Sequence, residues 1–279
     1  MADSVLIGPI AAPGLHVMSF NIRRRMPHLN PHSPDRWVHR RPLIKRLLEA
    51  EQPALLGVQE ALFQQANFVR HALGEGYRSI GHGRETNSRG EACPMYYDSD
   101  RLNLLDWQQT ALSDTPNVPG SVSWGNRTPR VVVAARFRDL DTGIEFQAVN
   151  THLDNYSRTS RLRSADELRR IVSTSPLPTV MTGDFNTDAE TDPYDELTGH
   201  GLLLDTWDTA HTRLTEVWGS FPNYREPQHD TKRIDWILTT PTVTVLSAAI
   251  NTTRYQEGWP SDHAAVQAVV QFPNVADTV

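Results

Sequence analysis

The chain has 279 residues, with 27 Lys+Arg against 33 Asp+Glu and a formal net charge of −6, which excludes a bulk nucleic-acid binder held by whole-surface charge but leaves room for a local basic patch. A composition of 38% hydrophobic and 22% charged residues excludes a disordered chain. The one cysteine, Cys93, excludes an internal disulfide and a multi-cysteine zinc site, and fits a reducing compartment.

Residues 1–14 read as a loose N-terminal arm. Gly8, Pro9, Pro13 and Gly14 break a spanning helix, and Asp3 stands where a signal peptide carries Lys or Arg. No other stretch is long enough for a membrane, so the expectation is a soluble cytoplasmic monomer. Residues 15–20 (LHVMSF) read as a buried strand that ends at Asn21, and residues 37–50 as a helix with Val38, Leu43, Ile44, Leu47 and Leu48 at helical spacing. A strand at 54–58 ends in Gln59-Glu60, and a helix follows at 61–73. Further strands are expected at 94–97, 102–112, 130–138, 144–152, 177–183, 234–239, 242–250 and 264–272. Residues 160–172 form an amphipathic helix pattern with Leu162, Ala165, Leu168, Ile171 and Val172 on one side. Strands outnumber helices and several neighbours look hairpin-linked. The expected fold class is therefore α/β, with two packed mixed β-sheets flanked by helices, not a doubly wound parallel sheet. No repeat or linker divides the chain, so residues 15–272 read as a single domain and 273–279 as a C-terminal tail.

Polar residues gather at the ends of the buried-looking strands: Ser19-Phe20-Asn21, Val58-Gln59-Glu60, Asn150 to Asp154, Gly183 to Asn186, Arg233-Ile234-Asp235 and Ser261-Asp262-His263. Any one of these alone reads as a turn or a helix cap. Together, at one sheet rim, they would converge. Glu60, Asp184 and Asp262 are hard oxygen donors, and Asn21 and Asn186 add neutral oxygens, a set that suits Mg²⁺ or Mn²⁺ better than zinc. His152 and His263 are candidates for acid–base work or for contact with a phosphate oxygen. Asp235 is a carboxylate inside a strand pattern, between Ile234 and Trp236, and needs a partner such as histidine. A hard metal beside imidazoles points to phosphoester hydrolysis.

The ordered set MSFNIR, GVQE, NTHLDN, TGDFN, RIDWIL and PSDHAAV resembles the endonuclease/exonuclease/phosphatase superfamily over residues 15–272. Trp37, Arg40, the phrase LSDTPNVPGS, Trp124 and Thr128-Pro129-Arg130 resemble a bacterial subgroup without an established substrate. The resemblance implies a four-layer sandwich of the deoxyribonuclease I-like type, a divalent cofactor (Mg²⁺, with Mn²⁺ able to substitute) and in-line attack by water. It implies that Glu60 is the principal metal ligand, with Asn21 and Asp262 beside the ion, and that Asp184 and Asn186 flank the attacking water. His263, oriented by Asp235, holds a phosphate oxygen or takes the proton of the water; Asp184 is the other candidate base. His152 is the second histidine, oriented by Glu91 of GEACPMYY. Arg23, Arg130, Asp154 and Trp218 are the substrate-side candidates.

The segment 23–46 holds eight Arg or Lys residues against one acid, Asp35. Arg23 to Arg25 directly follow Asn21 and read as a collar for an anionic substrate, whereas Arg40 to Arg46 read equally well as a solvated helix face. No long basic track with stacking aromatics appears, so the reading favours a small phosphorylated substrate. The alternative is an endo- or exonuclease acting on DNA or RNA, and a catalytically dead binding module is disfavoured because no expected site position is lost. The stretch 207–234 departs from the superfamily pattern and reads as a substrate-facing loop. Trp218 and Trp259 flank the expected site, Trp107 reads as packing, and Cys93 as a small buried hydrophobe.

Overall fold

The computed structural model describes residues 5–229 and 231–273. The N-terminal arm is described from Val5, and the tail expected over 273–279 lies, from 274 onward, outside the described residues. The elements in chain order are β1 (Leu15–Asn21), α1 (Trp37–Glu51), β2 (Leu55–Gln59), α2 (Phe63–Leu73), β3 (Tyr77–Ile80), β4 (Met95–Asp98), β5 (Leu102–Ala111), β6 (Val131–Asp139), β7 (Glu145–His152), α3 (Arg158–Ser173), β8 (Thr179–Asp184), α4 (Asp192–Thr198), β9 (Leu204–Asp205), α5 (Thr206–Thr209), β10 (Thr212–Arg213), β11 (Asp235–Thr239), β12 (Thr244–Asn251) and β13 (Ala265–Gln271).

The strands form two mixed sheets, one of seven strands in the order β10-β12-β13-β1-β2-β4-β3 and one of six in the order β5-β6-β7-β8-β11-β9. Central strands such as β1, β2, β8 and β11 are buried at every position, which is why they read as unbroken apolar runs without alternation. Leu15, Val17 and Leu55 of the first sheet pack between the layers against Phe137, Phe146 and Ile237 of the second. On the outer side of the first sheet, α1 presents Leu43, Ile44, Leu47 and Leu48 to Met18, Phe20 and Val58. The spacing of that stripe is the helical one; Val38 falls off it and is 51% exposed. On the far side of the second sheet, α3 packs Ala165, Leu168 and Val172 against Val149, Met181 and Trp236. The result is the expected four-layer sandwich. Among the described residues, no helix is long and apolar enough to cross a membrane.

The fold brings the polar strand ends to one rim by the direction of its pairings. β1 and β2 run parallel, as do β7 and β8, so Asn21, Gln59, His152 and Asp184 end at the same side. β13 is antiparallel to β1, and β11 is antiparallel to β8, so these two strands start where the others stop. Asp235 therefore pairs in register with Asp184, which in turn pairs with His152. Trp107 differs from its packing expectation: it lies on edge strand β5 and is 37% exposed. The short elements β3, α4, β9, α5 and β10 have too few residues to show a period, and the sequence reading lacks them.

Directly below that rim the sheets are joined by a buried amide. Asn150 of β7 donates through Nδ2 toward the carbonyls of Val58 (3.0 Å), Cys93 (3.1 Å) and Pro94 (3.1 Å). Its Oδ1 accepts from Gln59 Nε2 (2.8 Å) and Thr182 Oγ1 (3.0 Å). Gly57 lies against this group, and a Cβ there would come within 2.1 Å of Thr182 Oγ1 and 2.7 Å of Asn150 Oδ1. Asn150→Leu leaves Gln59, Thr182 and the opposing carbonyls without their shared partner, at about 1–3 kcal/mol for each group stranded. The expected outcome is a loss of at least about 3 kcal/mol in urea unfolding, and an unchanged midpoint would contradict the role assigned to Asn150.

Candidate active site

Three non-glycine residues at the rim adopt the left-handed backbone conformation: Arg23 (φ 53°), Glu60 (φ 63°) and Asn186 (φ 50°). The conformation suits Asn and is costly for Arg and Glu, so surrounding contacts must hold it. Asn21 Oδ1 accepts from the Arg23 backbone N–H (2.9 Å), and Asp184 Oδ1 accepts from that of Asn186 (2.9 Å). Arg40 secures the turn after β1 from beneath, donating to the carbonyls of Ile22 (2.6 Å), Arg23 (3.0 Å) and Asp35 (3.0 Å). It is 1% exposed, so it belongs to the support of the site and not to a solvated helix face. Gln65 adds Nε2 to the Arg23 carbonyl (2.9 Å) and accepts from the Arg25 N–H (2.8 Å).

At the centre stands Asp184. Asn21 Nδ2 donates to both Asp184 Oδ2 (2.9 Å) and Glu60 Oε1 (3.1 Å), which ties the two carboxylates to one amide. His152 Nε2 lies 3.5 Å and His263 Nε2 3.8 Å from Asp184 Oδ2. His263 Nδ1 bonds to Asp235 Oδ2 at 2.8 Å, which gives the buried strand carboxylate its partner. Burial, and then the charge of Asp235, push the Asp184 carboxyl up to about 7. Burial alone would depress the His263 imidazole, but Asp235 and Asp184 outweigh it and raise it to about 10. His152 goes the other way: burial, followed by the charges of Arg130 and Arg84, lowers it well below the usual imidazole range. Asn186 Nδ2 donates to the Leu153 carbonyl (3.0 Å) and to His152 Nε2 (2.8 Å), a network that places the His152 proton on Nδ1.

Glu60, His152, Asp184, Asn186 and His263 line a cavity of about 330 Å³, whose wall also carries Arg24, Arg84, Arg130 and Glu91. Glu60, His152 and Asp184 offer ligand atoms that all lie within 4.8 Å of one another. A buried carboxylate and a half-buried one at that distance, with an imidazole beside them, fit a hard divalent cation. Burial opposes ionisation of Glu60, but the Arg24 N–H, the charge of His263 and Asn21 hold its carboxyl below the usual range. The second such group, Asp184, Asp235 and His263, is already closed by its internal hydrogen bond.

The model of the Endonuclease/Exonuclease/phosphatase family matches residues 18–263. The chain belongs to this family. An endonuclease/exonuclease/phosphatase family protein from Bacteroides thetaiotaomicron is 30% identical, with a TM-score of 0.86, covering 93% of this chain and 98% of that one. A mannosyl-6-phosphatase from the same organism is 29% identical, with a TM-score of 0.85, covering 92% and 100%. Among curated relatives, Protein angel of Drosophila melanogaster is 29% identical over 187 residues, 63% of this chain. The chain spans about half (51%) of the length of that relative.

Within this family fold several expected residues take other places. Glu91 does not orient His152: its two oxygens meet Arg24 Nη1 (2.9 Å) and Arg84 Nη1 (3.1 Å), because two guanidinium groups outcompete a neutral imidazole for a carboxylate. His152 Nδ1 has no hydrogen-bond partner among the described residues. Asn21 turns its amide nitrogen, not its oxygen, toward the carboxylates, so it positions Glu60 and Asp184 and does not add an oxygen ligand. Asp262 faces Arg23 Nε at 3.6 Å, and Arg23 is shared among Asp35 (3.3 Å), Glu60 (3.8 Å) and Asp262, so it braces the acids at the wall of the cavity. Arg25 bonds to Gln64 (3.3 Å) away from the cavity, which leaves Arg23 and Arg24 as the collar. Asp154 is buried and accepts from Arg130 Nε (3.2 Å) and from the backbone of Tyr156 (2.9 Å) and Ser157 (2.6 Å); it holds Arg130 instead of facing a substrate. Trp218 stacks on His229 (4.1 Å between centroids), and Trp259 lies under Arg254 (4.7 Å). From the divergent loop it is Phe221 that reaches the cavity, its ring 4.7 Å from that of His263. Arg84, Thr128 and Asn155 line the cavity without having been singled out as sites; Thr128, ahead of Pro129-Arg130, and Asn155, the last residue of NTHLDN, were the legible ones.

If Asp235 orients and charges His263, Asp235→Asn should lower kcat by about 10³-fold or more with KM little changed. It should also move the alkaline limb of the pH–rate profile to lower pH, because the leading cause of the raised His263 value is removed. Near-normal activity, or an unmoved limb, would separate Asp235 from the mechanism.

Proposed function

We propose that this protein is a divalent-metal-dependent phosphoester hydrolase acting on a small phosphorylated substrate. The observation that carries the reading is Asp184, tied to Glu60 through Asn21 and faced by both histidines, at the floor of a cavity of about 330 Å³ lined by arginines and carboxylates together. That size lies at the low end of the range for small-molecule sites, about 300–1,000 Å³. The likeness to a mannosyl-6-phosphatase supports a monoester substrate. Glu60 and Asp184, with His152 at their edge, would hold Mg²⁺, or Mn²⁺ in its place. When bound, the ion neutralises phosphoryl oxygens and favours ionisation of the attacking water. Asn21 fixes the spacing of the two carboxylates. Asp184 takes the proton of the water at Oδ2. His263, kept protonated by the carboxylates of Asp235 and Asp184, donates from Nε2 to a phosphoryl oxygen. Asn186 holds His152 in its Nδ1–H form, with Nε2 turned toward Asp184. A cytoplasmic location is in keeping with the lone buried thiol of Cys93.

A second reading, nuclease action by the same groups, is favoured by a separate groove of about 800 Å³ that holds Arg25, Arg89, Trp37, Phe63 and Tyr96. Cations interleaved with aromatics suit single-stranded nucleic acid. The two readings separate in one assay: phosphate release from small monoesters in Mg²⁺, against nicking of plasmid and digestion of single-stranded oligonucleotides. The expected result is monoester turnover that is abolished by EDTA and lost in Glu60→Gln, with shallow salt dependence. Full turnover in EDTA would remove the metal, and preferred cleavage of oligonucleotides with a steep salt slope would replace the phosphatase reading by the nuclease one.

A further inference from the structure

One wall of the cavity is unused by the chemistry proposed above. There Glu91 lies between Arg24 and Arg84, one guanidinium on each carboxylate oxygen, at 2.9 and 3.1 Å. A carboxylate accepts at about four lone-pair positions, so these two contacts leave it able to take further donors. Next along the wall is Arg130, which is 4% exposed. Its Nε is held by Asp154 (3.2 Å) and its Nη2 by Asn155 (3.0 Å), whereas Nη1 is buried and has no partner among the described residues. Thr128 and Asn155 complete this side with a hydroxyl and an amide.

The arrangement alternates acceptors and donors. A second phosphate or carboxylate on the substrate could meet the guanidiniums, but it would leave the open positions of Glu91 without a donor. A nucleobase would need a free aromatic face, and the aromatic side chain of the cavity, Phe221, has its ring against His263. Trp37, Phe63 and Tyr96 line the other groove. A hydroxyl group is at once donor and acceptor, so adjacent hydroxyls can give to Glu91 while accepting from Arg24 or Arg84. We infer that Glu91, flanked by Arg24 and Arg84 and followed by Arg130, is a hydroxyl-binding subsite, and that the substrate is the phosphomonoester of a sugar or another polyol. The inference rests on the hydrolase reading and assigns Glu91 to substrate selection instead of to a histidine.

The test measures kcat/KM in Mg²⁺ for glucose 6-phosphate, mannose 6-phosphate, 2′,3′-dideoxyadenosine 5′-monophosphate and p-nitrophenyl phosphate, the last two without a hydroxyl to offer. The wild type should prefer a hexose phosphate to the other two. In Glu91→Gln the ratio of hexose phosphate to p-nitrophenyl phosphate should fall by about tenfold or more, because hydrogen bonds to an ionised group are lost on one substrate alone. A wild-type measurement guards against a variant that fails to fold: free hexose should inhibit p-nitrophenyl phosphate hydrolysis competitively, and 2′,3′-dideoxyadenosine should not. Turnover of p-nitrophenyl phosphate with no hexose preference, an unchanged ratio in Glu91→Gln, or competition by 2′,3′-dideoxyadenosine in place of hexose overturns the polyol subsite alone. Absence of phosphate release from every ester overturns the hydrolase reading and the subsite with it.

Discussion

Asn150 couples the two sheets through a buried amide that meets five partners, drawn from both layers. A sandwich held by apolar contacts alone could slide, because hydrophobic packing has no direction. A buried amide fixes register, since a shift of one residue would strand several polar groups at once. Gly57 follows from the same constraint, because a methyl group there would occupy the space of Thr182 and Asn150. With the register fixed, the ends of β1, β2, β7 and β8 and the starts of β11 and β13 share one rim. Asn21, Glu60, His152, Asp184, Asp235 and His263 then meet without any long excursion of the chain.

What the rim gathers is electrostatically unfavourable by itself. Glu60, Asp184, Asp235 and Asp262 lie close together and away from water, and burial raises both Asp184 and Asp262 above the ordinary carboxylate range. The protein answers with His263 beside Asp235, with Arg23 among Asp35, Glu60 and Asp262, and with Asn21 between Glu60 and Asp184. Arg40 and Gln65 hold the turn that carries Arg23. The left-handed conformations of Arg23, Glu60 and Asn186 are the backbone counterpart of this crowding. A divalent cation between Glu60 and Asp184 would relieve it further, which ties the stability of the rim to its chemistry.

Strands buried on both sides and amphipathic helices were legible because periodicity reports burial directly, and each catalytic-type residue stands where an apolar run stops. Asp235 was legible because a carboxylate within RIDWIL has to have a partner. What the sequence could not reveal was competition among partners. Glu91 has the residue type to orient His152, yet Arg24 and Arg84 take it, and Arg84 lies in a loop with no periodicity. Arg40 looks like one cation in a basic run, and only the turn after β1 shows why it is buried. Trp218 sits in the right loop, but its ring is spent on His229, and Phe221, three residues on, enters the cavity instead.

The central claim is that the carboxylates joined by Asn21 are arranged for a divalent cation. Diffraction at the manganese edge from crystals grown with Mn²⁺ tests it most directly. The account predicts an anomalous peak bound by Glu60 and Asp184, absent in Glu60→Gln crystals grown alike. Well-ordered crystals with no peak there, or with a peak that persists in Glu60→Gln, would contradict it.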